Sequence, residues 1–98
     1  MKVVYTEEAL NDLDAIASWL MVHYPALAPT IERRIRFVVA HIARWPQSSR
    51  RSAKRPRVRV ASLGRYPYRI FYRVTDEAVE ILHIHHAARE PWDERNVT

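Results

Sequence analysis

The sequence predicts an α+β fold of order β-α-α-β-β-β, in which an N-terminal helical hairpin packs on one face of a small, mainly antiparallel sheet. Three observations predict it. Apolar residues recur at three- and four-residue steps up to Trp45, the period changes to two from Arg57 onward, and 98 residues leave room for one hydrophobic core. We therefore expect one domain over 1–98: a hairpin over about 7–45, a basic linker over 47–56, a β-meander over about 57–87 and a tail over 88–98.

Val3, Val4 and Tyr5 form a short β-prone start. Thr6 then offers a hydroxyl N-cap, with Glu7 and Glu8 in the first turn where carboxylates suit the helix dipole. Leu10, Leu13, Ile16, Ala17, Leu20, Met21 and Tyr24 make the first apolar stripe, with Asn11, Asp12, Asp14 and Ser18 opposite. Pro25 ends this helix and Pro29 sits in the first turn of the next, whose stripe is Ile31, Ile35, Val38, Val39, Ile42 and Trp45. Pro46 closes it. A short loop between two such helices makes them antiparallel.

Beyond the linker, Val58 and Val60 alternate with Arg57, Arg59 and Ala61. Tyr68, Ile70, Tyr72 and Val74 alternate with Arg69, Phe71 and Arg73, and Val79 to His86 forms a third apolar-rich run. The connections Gly64-Arg65-Tyr66-Pro67 and Thr75-Asp76-Glu77 are too short for a crossover, so the three strands form an antiparallel meander. The Tyr68 set suits the helix-facing core and leaves Arg69, Phe71 and Arg73 on the open face.

Composition excludes several function classes. There is no cysteine, which removes disulfides, thiolate nucleophiles and Cys-type zinc sites, and the one glycine, Gly64, cannot make a phosphate-cradling Gly-rich loop. No apolar run reaches the roughly eighteen residues of a membrane span, and the N-terminus lacks a signal-peptide pattern, so the chain reads as soluble and cytoplasmic. The net charge of +5 resides in one block: from Gln47 to Thr75 nine basic residues occur with no acid. Such a block suggests a polyanionic partner, nucleic acid or an acidic protein segment; a solvated basic face is the alternative.

Within the block, Arg69 and Arg73 offer guanidinium forks to phosphate or carboxylate, unless cross-strand acids such as Glu80 pair with them. His83, His85 and His86 cluster near the end of the last strand. Without a third ligand they give no metal site, and no cofactor is expected. They are either packed strand-end residues or acid–base groups, with His85 or His86 moving protons and Arg69 stabilising phosphate charge. Trp19 and Trp45 read as core, whereas Tyr66 and Trp92 are the better candidates for stacking on a partner.

The segment from Gly64 to Val74, GRYPYRIFYRV, followed by Ile81 to Arg89, ILHIHHAAR, resembles the C-terminal half of RelE/ParE-type toxins of bacterial type II toxin–antitoxin systems. The resemblance extends over essentially the whole chain and agrees with the element order. It implies a growth-inhibiting toxin neutralised by a cognate antitoxin, acidic and disordered when free, in a toxin–antitoxin hetero-oligomer. RelE-like members are ribosome-dependent mRNA endonucleases, and ParE-like members inhibit DNA gyrase. By resemblance Arg69 matches the sheet arginine of the nucleases, and His86 and Arg89 match the motif ending the last strand. RelE-like members commonly carry a tyrosine near the C-terminus, where this chain offers only Trp92, which cannot exchange a proton as a phenol does, and Lys54 is the only lysine of the linker. These departures favour the ParE-like branch, with the mRNA endonuclease and a non-catalytic nucleic-acid-binding module as alternatives. The target- or polyanion-binding residues are then Arg57, Arg59, Arg65, Tyr66, Arg69, Arg73, Arg89 and Trp92. Those for the antitoxin are Arg50, Arg51, Lys54, Arg55, Arg69 and Arg73.

Overall fold

In the computed structural model, which describes residues 1–87, strand β1 (Lys2–Tyr5) leads into helices α1 (Glu7–His23) and α2 (Ala28–Arg44). Strands β2 (Arg50–Arg51), β3 (Val58–Leu63), β4 (Tyr66–Val74) and β5 (Ala78–His86) follow. The five strands form one sheet in the order β1-β5-β4-β3-β2. The meander β3-β4-β5 is antiparallel as the short turns require, and β1 adds to β5 in parallel, Lys2 opposite Ala78 and Tyr5 opposite Ile81.

Local chemistry explains the element ends. The Thr6 hydroxyl accepts from the Ala9 N–H at 3.2 Å and donates toward the carbonyls of Ile81 and Leu82, so one side chain starts α1 and ties it to β5. Gly64 takes φ +75°, giving the two-residue β3–β4 turn the positive φ that a hairpin twist favours. The next turn is held by Thr75, whose hydroxyl accepts from the N–H groups of Glu77 and Ala78.

The main core lies between hairpin and sheet. Ile31, Ile35, Val38, Val39 and Ile42 of α2 meet Tyr68, Ile70 and Tyr72 of β4 and Val79, Ile81 and Ile84 of β5. Val74 is partly buried against them, so the helix-facing set read from the alternation is the one observed. Ile81 and Ile84 face the same side although three residues apart. Phe71 pairs with His83 and Tyr72 with Ile81, which leaves Leu82 as the extra residue of a bulge that resets the alternation.

The structure corrects four expectations. α1 buries Ala9 and Leu20, with Leu13 and Ile16 partly buried, while Leu10, Ala17, Met21 and Tyr24 of the expected stripe are exposed. Packing against the edge of β5 rotates the buried face toward Ala9. Trp19 and Trp45 are not core: they are 38% and 55% exposed, Trp19 stacking on His23 and Trp45 lying under the Arg44 guanidinium. Phe71 is buried rather than open, in a second cluster with Val58, Val60 and Leu82 on the face away from the helices. Finally, the basic linker contains β2, Arg50 opposite Val60 and Arg51 opposite Arg59. Ser52 is buried there, its N–H donating to Val58 at 2.7 Å and its hydroxyl accepting from Lys54 and Arg55.

Candidate functional site

Arg69 and Arg73 stand on the sheet face opposite the main core, on either side of Phe71. Their surroundings differ. Arg73 donates Nε to Glu80 Oε1 at 2.9 Å, with Nη2 at the same distance, so the cross-strand pairing alternative holds for this residue. Arg69 is exposed, lies between Ser62 and His85 in register, and makes no ion pair among the described residues.

The basic block is not one patch. Arg51, Arg57, Arg59 and Arg73 surround a concavity at the Val74 end of β4. Arg50 and Arg69 line a second one with Phe37 and His41 of α2. Arg65, in the β3–β4 turn, stacks over Tyr66 at 5.7 Å. Tyr66 is the first residue of β4, partly buried against the main core rather than free in a turn. Lys54 is exposed, Arg55 half-buried. Arg89 and Trp92 lie outside the described residues.

The histidines are brought together with two carboxylates that no sequence pattern links to them. His83 Nδ1 lies 2.5 Å from Asp12 Oδ2 and 3.3 Å from Glu8 Oε1, and His83 Nε2 lies 3.4 Å from His85 Nδ1. Asp12 Oδ2 also accepts the Ile84 N–H at 2.9 Å. β1 stops opposite Ile81, and from there α1 runs along the edge of β5 and supplies this acceptor in place of a strand partner. His86 is turned to the other side, edge-on to Tyr68 with centroids 5.1 Å apart. Asp12, the three histidines, Trp19 and Ile16 line a groove of about 480 Å³. No group of three or more metal-ligating side chains is found among the described residues.

A further groove of about 580 Å³ lies between α2 and β3, with Phe37, Val38, Ile42, Val60 and Ala61 in its lining. Phe37 is 63% exposed, with the Arg34 guanidinium over its ring. β2 covers β3 only at Arg59 and Val60, so beyond Val60 that edge faces the groove. No described helix is long and apolar enough to cross a membrane.

The sequence model of the ParE toxin of type II toxin–antitoxin systems, parDE, matches residues 3–91. The chain belongs to the ParE toxin family. Toxin RelE2 of Caulobacter vibrioides is 34% identical over 88 residues, covering 90% of this chain and 97% of that toxin. A solved chain of the chromosomal ParDE toxin–antitoxin system from P. aeruginosa superposes with a TM-score of 0.75 at 30% identity, covering 88% of this chain and 95% of its own. The resemblance read from GRYPYRIFYRV and ILHIHHAAR is thereby established, with the ParE-like branch favoured. As a ParE-family toxin, the protein has a cognate antitoxin as its partner.

Proposed function

We propose that this toxin arrests growth by poisoning DNA gyrase and that its antitoxin neutralises it by covering the α2–β3 groove and the basic residues beside it. The family match over residues 3–91 carries the first part. For the second, the groove joins the exposed Phe37 ring to Arg50 and Arg69, which suits an acidic segment with an apolar stripe. Arg51, Lys54 and Arg55 extend the same basic linker. Arg57, Arg59, Arg65 and Arg73, with Tyr66, remain the residues proposed to meet the target, and Arg89 and Trp92 join them from the tail.

A second reading draws on one pairing in the sheet. Arg69 is the register partner of His85, which puts a permanently charged residue opposite an imidazole, as ribosome-dependent mRNA cleavage would need, and His86 is the next residue along.

The deciding experiment is gyrase supercoiling of relaxed plasmid with the purified toxin titrated in, with and without its antitoxin. Inhibition or trapped cleaved DNA, relieved by the antitoxin, is the expected result. No effect at large excess of folded, growth-arresting protein would overturn the gyrase reading. Cleavage of ribosome-bound mRNA that is lost in Arg69→Ala would then replace it.

A further inference from the structure

The concavity at the Val74 end of β4, a space of about 800 Å³, has Arg51, Arg57, Arg59 and Arg73 in its lining, with Arg59 in register with core-facing Tyr72 and Arg73 with Val58 and Glu80 on the other face. They come from β2, the segment before β3, β3 and β4, so only the sheet order brings them together. Two of them are held in place. Arg59 Nη1 donates to the carbonyls of Ser49 at 2.8 Å and Gln47 at 3.3 Å, and Arg73 is oriented by Glu80. Arg51 and Arg57 are exposed and make no ion pair among the described residues. The lining has two carboxylates, Glu80 and Asp76, and Glu80 is engaged by Arg73.

Arg59 and Arg73 serve the fold through their own partners, whereas Arg51 and Arg57 are exposed and have no carboxylate partner among the described residues, so their charge is available to an anion entering the concavity. In a concave site their fields add, and each guanidinium presents a planar fork that matches phosphate oxygens in pairs. A single phosphate would satisfy one or two such forks. Several arginines along one open concavity fit an anion carrying several phosphates.

We propose that this concavity is a binding site for a run of successive phosphates, joined directly as in a nucleoside triphosphate or one sugar apart as in a nucleic-acid backbone. The site shares no lining residue with the α2–β3 groove or the histidine groove, and it takes in Arg57, Arg59 and Arg73, which are among the residues proposed above to meet the target.

Calorimetric titration of the full-length protein with tripolyphosphate tests it, using Arg51→Ala/Arg57→Ala and, as a control of equal charge loss, Arg33→Ala/Arg36→Ala on α2. Saturable one-to-one binding is expected, weakened at least about tenfold by the first pair and changed less than about twofold by the second. Arg51→Lys/Arg57→Lys keeps the charge but not the fork and should recover only part of the affinity. Thermal melts and near-UV circular dichroism establish that each variant is folded. ATP binding as tripolyphosphate does, with a short single-stranded oligonucleotide no tighter, would identify a free nucleotide as the occupant. An oligonucleotide that binds tighter and displaces tripolyphosphate would identify a nucleic-acid backbone. Absence of saturable binding to any of these, or equal weakening by both alanine pairs, would overturn the proposal, the second result showing diffuse charge rather than a site.

Discussion

Asp12 Oδ2 sits 2.5 Å from the Nδ1 atom of His83, although the two residues are carried by the first helix and the last strand. The same oxygen accepts the Ile84 N–H, so one carboxylate closes the edge of β5 and fixes the imidazole beside it. Both partners would be left with a poorer environment if it were removed.

Asp12→Ala should therefore destabilise the toxin by about 1–3 kcal/mol, because the partly buried Ile84 N–H loses its acceptor and the His83 imidazole loses the carboxylate beside it. At roughly 4–8 °C per kcal/mol for a chain of this size, a thermal melt resolves the change. A melting temperature equal to that of the parent protein would show that water replaces the carboxylate without cost.

Tyr72 is fully buried, and its phenol donates to the Pro46 carbonyl at 2.8 Å, anchoring the segment that follows α2. Tyr72→Phe keeps the ring and removes the donor, leaving that carbonyl without this partner. The loss should be about 0.5–1.5 kcal/mol in urea unfolding with an unchanged m-value. A changed m-value would point instead to a loosened linker in the folded state.

Gly64 has φ +75°, and a Cβ there would stand 3.0 Å from Nη2 of Arg34, the far end of a flexible side chain. Gly64→Ala should cost about 1–2 kcal/mol, mainly from the left-handed backbone, since the guanidinium can move aside. Removing the guanidinium with Arg34→Ala should recover little of that loss. Full recovery in the double variant would show that the side-chain clash, and not the backbone, causes the loss.

Tyr5 is partly buried against the main core, and that burial raises its phenol above the ordinary value of 10.0. The folded protein then holds this proton more tightly than the unfolded chain does. The resulting stability is complete below pH 10.0 and is lost as pH rises through the folded-state value. Urea midpoints measured from neutral to strongly alkaline pH should fall, and Tyr5→Phe should reduce the fall. An identical alkaline slope in both proteins would assign the effect to other groups.

Much of the fold is legible in the residues themselves. The Thr6 cap, the α2 stripe from Ile31 to Ile42 and the Tyr68-Ile70-Tyr72 face are local patterns, and repetition over several turns or pleats makes them hard to misread. The stripe of α1 points to a displaced buried face because its apolar residues extend around much of the helix. Only contact with β5 selects Ala9 and Leu20 over Leu10 and Met21. β2 has two residues, both arginine, and no periodicity can reveal a strand that short.

The site divides in the same way. Charge along the chain locates the basic block, and the aromatic and arginine alternation of β4 places Arg69 and Arg73 on one face. Sequence order does not record how far apart those charges end up. The sheet order carries Arg51, Arg57, Arg59 and Arg73 to one concavity and Arg50 and Arg69 to another, while α1 places Glu8 and Asp12 against His83. The helices, the antiparallel meander and the family follow from the chain alone, because they rest on neighbouring residues and continuous motifs. Which charged groups meet follows from the folded arrangement instead, since each of those meetings depends on how separate elements pack against one another.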